Sequence, residues 1–120
     1  MKVLIVEGRV GLAQLWATCV SRFGAEVEIA RTQPDAISYL QNVCPEIVIL
    51  SLGLVEGSAF AVADYASYRH PTTKIIPVTS STFFSDGSVF QHVPNTCTTL
   101  AESTSPEDLA AIVEHYGMTA

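Results

Sequence analysis

After Lys74 the chain has neither lysine nor arginine, although Asp86, Glu102, Glu107, Asp108 and Glu114 follow. The six basic residues (Lys2, Arg9, Arg22, Arg31, Arg69, Lys74) all precede position 75, against twelve acidic ones and a formal net charge of −6. A C-terminal part without cations offers nothing to a phosphate backbone or an anionic lipid headgroup, so neither nucleic acid nor membrane is expected as its partner. A basic or apolar protein partner fits it, and so does a surface that is acidic only for solubility. Cysteine is scarce as well. Cys19, Cys44 and Cys97 are odd in number, widely spaced and without a CxxC pair. That excludes a disulfide framework and a zinc site and fits reduced thiols in the cytoplasm. No apolar run is long enough to span a membrane, and the one in "MKVLIVEGR" is too short for a secretory signal, so a cytoplasmic protein is expected. Charge itself is sparse: 15% of 120 residues, against 48% hydrophobic. One domain over 1–120, with strands buried on both faces, accounts for that balance, and disorder does not.

Two kinds of segment alternate along the chain. "KVLIV" (2–6), "VEIA" (27–30), "EIVIL" (46–50), "KIIPV" (74–78) and the threonine-rich "NTCTTL" (95–100) read as strands. Pro77 removes a ladder donor, which argues against a central strand there. Between them, Leu12, Leu15, Trp16, Cys19, Val20 and Phe23 follow the rhythm of one buried helix face, and Gly24 supplies a stop. Thr32 caps a second helix with Ala36, Ile37 and Leu40 as its stripe. A third, about 58–69, should end before Pro71. The last is the clearest: Ser105 caps, Pro106 takes the first helical position, Leu109, Ile112, Val113 and Tyr116 form the stripe, and Gly117 ends it. Segment 81–93, "STFFSDGSVFQHV", falls where a fourth helix belongs, and Gly87 makes it short or irregular. Five β-α units with short connections predict an α/β fold, a flavodoxin-like (βα)5 doubly wound parallel sheet with strand order 2-1-3-4-5. Its functional edge lies where strands end, near Glu7, Ser51, Thr79 and Ala101.

"KVLIVEGRVG", "IVILSLGLVEGSAF", "KIIPVTSS" and "SPEDL" together resemble the receiver domains of two-component response regulators (CheY-like), over nearly the whole chain. The resemblance implies two acids after the first strand, an aspartate at the end of the third that accepts phosphate from a histidine kinase, a hydroxyl after the fourth, and a Lys-Pro after the fifth. The landmarks keep their spacing here but mostly not their residues. The acid pair becomes Glu7-Gly8, the phosphoacceptor position Ser51, the lysine position Glu102, and the aromatic before it Leu100; only the hydroxyl persists, as Thr79.

Each replacement removes chemistry. A serine hydroxyl is a weak nucleophile without a base, and His70, His92 and His115 lie on helices or at helix ends away from that edge. Magnesium prefers about six oxygen ligands with carboxylate charge, and Glu7 is one acid only, so no metal and no cofactor is expected. Glu102 would repel phosphoryl oxygens where a lysine would attract them. The expectation is a degenerate, phosphorylation-independent pseudo-receiver: not an enzyme, but a module of two-component or phosphorelay signal transduction acting by protein–protein interaction.

Other readings stay open. Ser51 is a plain substitution, a polar strand cap or a target of a serine kinase. Glu7 is a lone pocket acid, or pairs with Arg9 or Lys74. Phe83, Phe84, Val89, Phe90 and Val93 exceed what one core stripe needs, so some face outward or sit under an irregular loop. In the family it resembles, the face of the fourth helix, fifth strand and fifth helix docks partners or a second copy; here that face would include Phe83, Phe84, Phe90, Leu100, Glu107 and Asp108. Two alternatives are a conventional receiver using another acid, such as Glu56, and a flavin- or nucleotide-binding protein of the same architecture. The latter lacks its phosphate cradle, since "EGRVGLA" has neither GxGxxG nor P-loop spacing.

Overall fold

The computed structural model describes residues 1–51, 57–79 and 93–118. Its five strands are β1 (Lys2–Val6), β2 (Glu26–Ala30), β3 (Ile47–Ser51), β4 (Lys74–Thr79) and β5 (Leu100–Ala101). They form one parallel sheet in the order β2-β1-β3-β4-β5. The helices are α1 (Val10–Ser21), α2 (Gln33–Asn42), α3 (Ala59–Arg69) and a C-terminal helix (Pro106–Met118). The helix expected over 81–93 lies outside the described residues, Val93 excepted; Val93 is buried on the α2–α3 side.

Strand alternation divides the core into two layers. Val3, Ile5, Ile47, Ile49, Ile76 and Val78 meet Ala13, Trp16, Val20, Leu109 and Val113 from α1 and the C-terminal helix. Leu4, Val6, Val48, Leu50 and Ile75 meet Ala36, Leu40, Val62 and Ala66 from α2 and α3. β1 and β3 are thus apolar on both faces, which is why they read as unbroken hydrophobic runs. The helix starts follow local chemistry: Thr32, Ser58 and Ser105 hydroxyls accept from the N–H of Asp35 (3.2 Å), Ala61 (3.4 Å) and Asp108 (3.1 Å). α3 stops at His70, before Pro71. Gly24, at φ +92°, turns the chain out of α1.

Several expectations need correction. Leu15 does not belong to the buried stripe of α1; it is 49% exposed, and Ala13 takes the inward position. The third strand runs one residue past the expected 46–50, with Ser51 as the last residue of β3. Gly117 lies within the C-terminal helix, which runs to Met118. The fifth strand is later and shorter than 95–100, with only an isolated bridge, Thr96 to Ile75, before it. Pro77 explains the gap. The Ile75 N–H donates to Asn95 O and the Thr79 carbonyl accepts from Glu102 N–H, so alternate residues of β4 bond toward the β5 side. Pro77, midway between them, has no N–H to offer there, and the ladder resumes only at Val78–Leu100. The proline is compatible with an inner strand because its missing donor coincides with this break. Among the described residues, no helix is long and apolar enough to cross a membrane.

Candidate functional site

Parallel strands bring their C-terminal ends to one edge of the sheet. Glu7 extends β1 by one bond, its N–H donating to Ala30 O at 3.0 Å, and is wholly buried. Ser51 closes β3 opposite Val78 and is 1% exposed. Thr79 closes β4, and its carbonyl accepts the Glu102 N–H at 2.7 Å, which fixes Glu102 just past β5. The Gly8 carbonyl accepts from Arg31 Nε at 3.4 Å. Leu100 is half-buried against the α1-side core, while Glu107 and Asp108 are exposed on the first turn of the C-terminal helix. Phe83, Phe84, Val89, Phe90, His92 and Glu56 lie outside the described residues.

One side chain gathers this edge. Arg9 Nη2 lies 2.6 Å from Glu7 Oε1, and Arg9 Nε donates to the same oxygen at 2.8 Å. The other side of the guanidinium faces Glu102, with Nη2 to Oε2 and Nη1 to Oε1 both at 3.2 Å. The planar fork of donors thus engages two carboxylates from opposite ends of the sequence. The hydrogen bond to Glu102, and then those to Glu7, push the Arg9 guanidinium above its ordinary pKa, against the desolvation that pulls it down. Glu7 does pair with Arg9; Lys74, its other possible partner, sits at the start of β4 and donates to Tyr116 O at 2.7 Å. The Arg9–Glu102 pair is the feature that sequence reasoning missed. Its signal was present as an arginine just past the first strand and an acid just past the fifth.

These residues do not fit a magnesium ion. The second oxygen of Glu7, Oε2, is buried without a hydrogen-bond partner, so one oxygen is available. Oε1 is engaged by a guanidinium, Gly8 has no side chain, and Ser51 offers a neutral hydroxyl. A cation wanting about six oxygens with carboxylate charge would have to share one acid with Arg9. Among the described residues, no group of three or more His, Cys, Asp or Glu side chains could hold a metal ion. His70 is occupied elsewhere, with Nε2 2.7 Å from Leu40 O at the far end of α3.

Compared with models of known protein families the chain matches none, and none of the curated proteins matches it. Solved structures do. A signal receiver domain from Vibrio parahaemolyticus aligns over 98% of this chain and 89% of its own at 24% identity, with a TM-score of 0.85. A CheY-like response regulator receiver domain protein from Methanospirillum hungatei aligns over 98% and 93% at 20% identity, with a TM-score of 0.87. The receiver domain of NtrX from Brucella abortus aligns over 98% and 99% at 18% identity, with a TM-score of 0.85. The fold is that of the CheY-like receiver domains.

Proposed function

We propose that this chain is a signalling module of the two-component or phosphorelay type that works by protein contact and does not accept phosphate. The observation that supports it most is the chemistry at the sheet edge. Ser51 stands at the end of β3, where the family's reaction needs an ionised carboxylate, and a hydroxyl needs a base to act as a nucleophile. Glu102 stands just past β5, where the family has its lysine, and its carboxylate is turned to Arg9. Glu7 is one acid in place of two. Nucleophile, metal ligands and cation are altered together, while the frame that presents positions 7, 51, 79 and 102 on one edge is kept.

A module that does not react has its surface to work with. The reading assigns partner contact, with another signalling protein or a second copy, to the face of segment 81–93, β5 and the C-terminal helix. The exposed Glu107 and Asp108 and the absence of lysine and arginine after position 74 support a basic or apolar counterpart. The test is incubation with acetyl phosphate and Mg²⁺, followed by intact-mass measurement. The protein is expected to stay unmodified, alongside a conventional receiver that gains a phosphoryl group. An adduct on this chain would overturn the reading.

A further inference from the structure

We propose that Arg9 is a tethered cation that replaces a diffusible one at this edge, joining the start of α1 to the loop that enters the C-terminal helix. The inference rests on the phosphate-independent reading above and gives its edge a defined resting state.

Local chemistry does not explain Arg9. It is the N-cap residue of α1, where Ser, Thr, Asp or Asn is preferred, and its side chain makes no capping bond. A cation there also opposes the positive end of the helix dipole, and the first turn of α1 carries no acid to offset it. What holds the side chain is tertiary. One nitrogen, Nη2, is 2.6 Å from Glu7 Oε1 and 3.2 Å from Glu102 Oε2, so both carboxylates converge on it. Glu7 is sealed from water and needs a counter-charge within the protein. Glu102 is 40% exposed and could be solvated instead, yet its carboxylate lies side-on to the guanidinium with both oxygens engaged. The Glu102 N–H is bonded to Thr79 O as well. Through Glu102, Arg9 therefore ties β1 and α1 to β4, β5 and the loop 102–105 that leads to the Ser105 cap.

The consequence concerns cations. With Arg9 in place, Glu7 Oε1 and both oxygens of Glu102 are engaged. Without it, one buried and one half-exposed carboxylate face a common point, an arrangement that a divalent cation with flexible geometry fills. Arg9 thus keeps the edge closed to metal, and the edge needs no ligand to link its first and fifth loops.

The test uses the whole chain, with Ca²⁺ and Mg²⁺ as probes. Calorimetric titration of the unaltered protein is expected to show no saturable binding at millimolar cation. Arg9→Ala is expected to bind Ca²⁺ saturably, at least about tenfold more tightly than the limit set by the unaltered protein, with a saturable rise in melting temperature, and the pair Arg9→Ala/Glu7→Gln to lose that binding. Amide hydrogen exchange gives a second readout. Exchange at 102–105 should accelerate in Arg9→Ala and slow again when Ca²⁺ is added. Glu102→Gln, a surface change that leaves Glu7 paired, should accelerate the same amides without opening a cation site. If Arg9→Ala gains no cation and its 102–105 amides exchange as before, the tether is overturned while the phosphate-independent reading stands. Should Arg9→Ala fail to fold, unchanged exchange at 102–105 in Glu102→Gln overturns it equally. Acquisition of phosphate by the unaltered protein would overturn the other reading instead.

Discussion

Removing Arg9 should cost far more than removing Glu102, and the difference should vanish once Glu7 is neutral. The Arg9–Glu102 pair is half-exposed at both ends (47% and 40%), so its loss, read in Glu102→Gln, should cost about 0.2–1 kcal/mol. Glu7 is fully buried. Stripping the partner from a buried ion pair costs ~3–5 kcal/mol because a lone charge stays in the interior. Water reaches the Arg9 side of this pair, which lowers the figure for Arg9→Ala to about 2–3 kcal/mol. In a Glu7→Gln background no charge is stranded, and Arg9→Ala should then cost about 1 kcal/mol or less. The coupling between the two positions is therefore expected at about 1.5–2.5 kcal/mol, within the range for contacting residues. Urea unfolding at pH 7, followed by the fluorescence of the buried Trp16, measures all four corners of the cycle. With a urea slope of about 1–3 kcal/mol per molar, Arg9→Ala should move the midpoint by roughly 1–2 M. Equal costs of Arg9→Ala in both backgrounds, or a Glu102→Gln cost as large as that of Arg9→Ala, would refute the reasoning.

Other outcomes follow from packing and backbone. Trp16→Ala should destabilise by ~3–5 kcal/mol, whereas Leu15→Gln, one residue earlier but 49% exposed, should stay within about 0.5 kcal/mol by thermal melts monitored by circular dichroism. Gly57→Ala should cost about 1–3 kcal/mol, because Gly57 has φ +94° and an added Cβ would lie 2.3 Å from Gln33 Cβ, beside the Gln33 Oε1 that accepts the Ser58 N–H. Burial pushes the Cys97 thiol up, so the native state keeps a proton that the unfolded chain releases above about pH 8.5. Stability should therefore fall as pH rises from there through the folded value, and Cys97→Ala should flatten that slope in urea midpoints measured from pH 7 to 10.

The fold was legible because its signals are local or periodic. β1 and β3 are apolar at every inner position, since both faces of the sheet are covered, and the helix caps Thr32 and Ser105 announce themselves within one turn. What escaped depends on distant partners. The inward side of α1 was misread at Leu15 because hydrophobicity favours leucine, whereas the packed helix turns Ala13 to the core and leaves Leu15 at the surface. The start of β5 was set by Pro77 on the neighbouring strand, not by the threonines of the segment itself. At the site, Glu7, Ser51 and Glu102 were readable as departures from the receiver pattern at kept spacing, and Thr79 as the position that keeps its hydroxyl. That Arg9 and Glu102 compensate each other across 93 positions of sequence was not, because only the closed sheet brings the first and fifth loops together.

Backbone amide spectra recorded with Mg²⁺ and beryllofluoride, a phosphoryl mimic, test the phosphate-independent edge most directly. The amides of Glu7, Ser51 and Thr79 are expected to stay in place throughout the titration, with Arg9 holding Glu7 and Glu102. Saturable shifts centred on those three residues would contradict it, because they would mean that the edge still gathers metal and phosphoryl group despite its serine and its arginine.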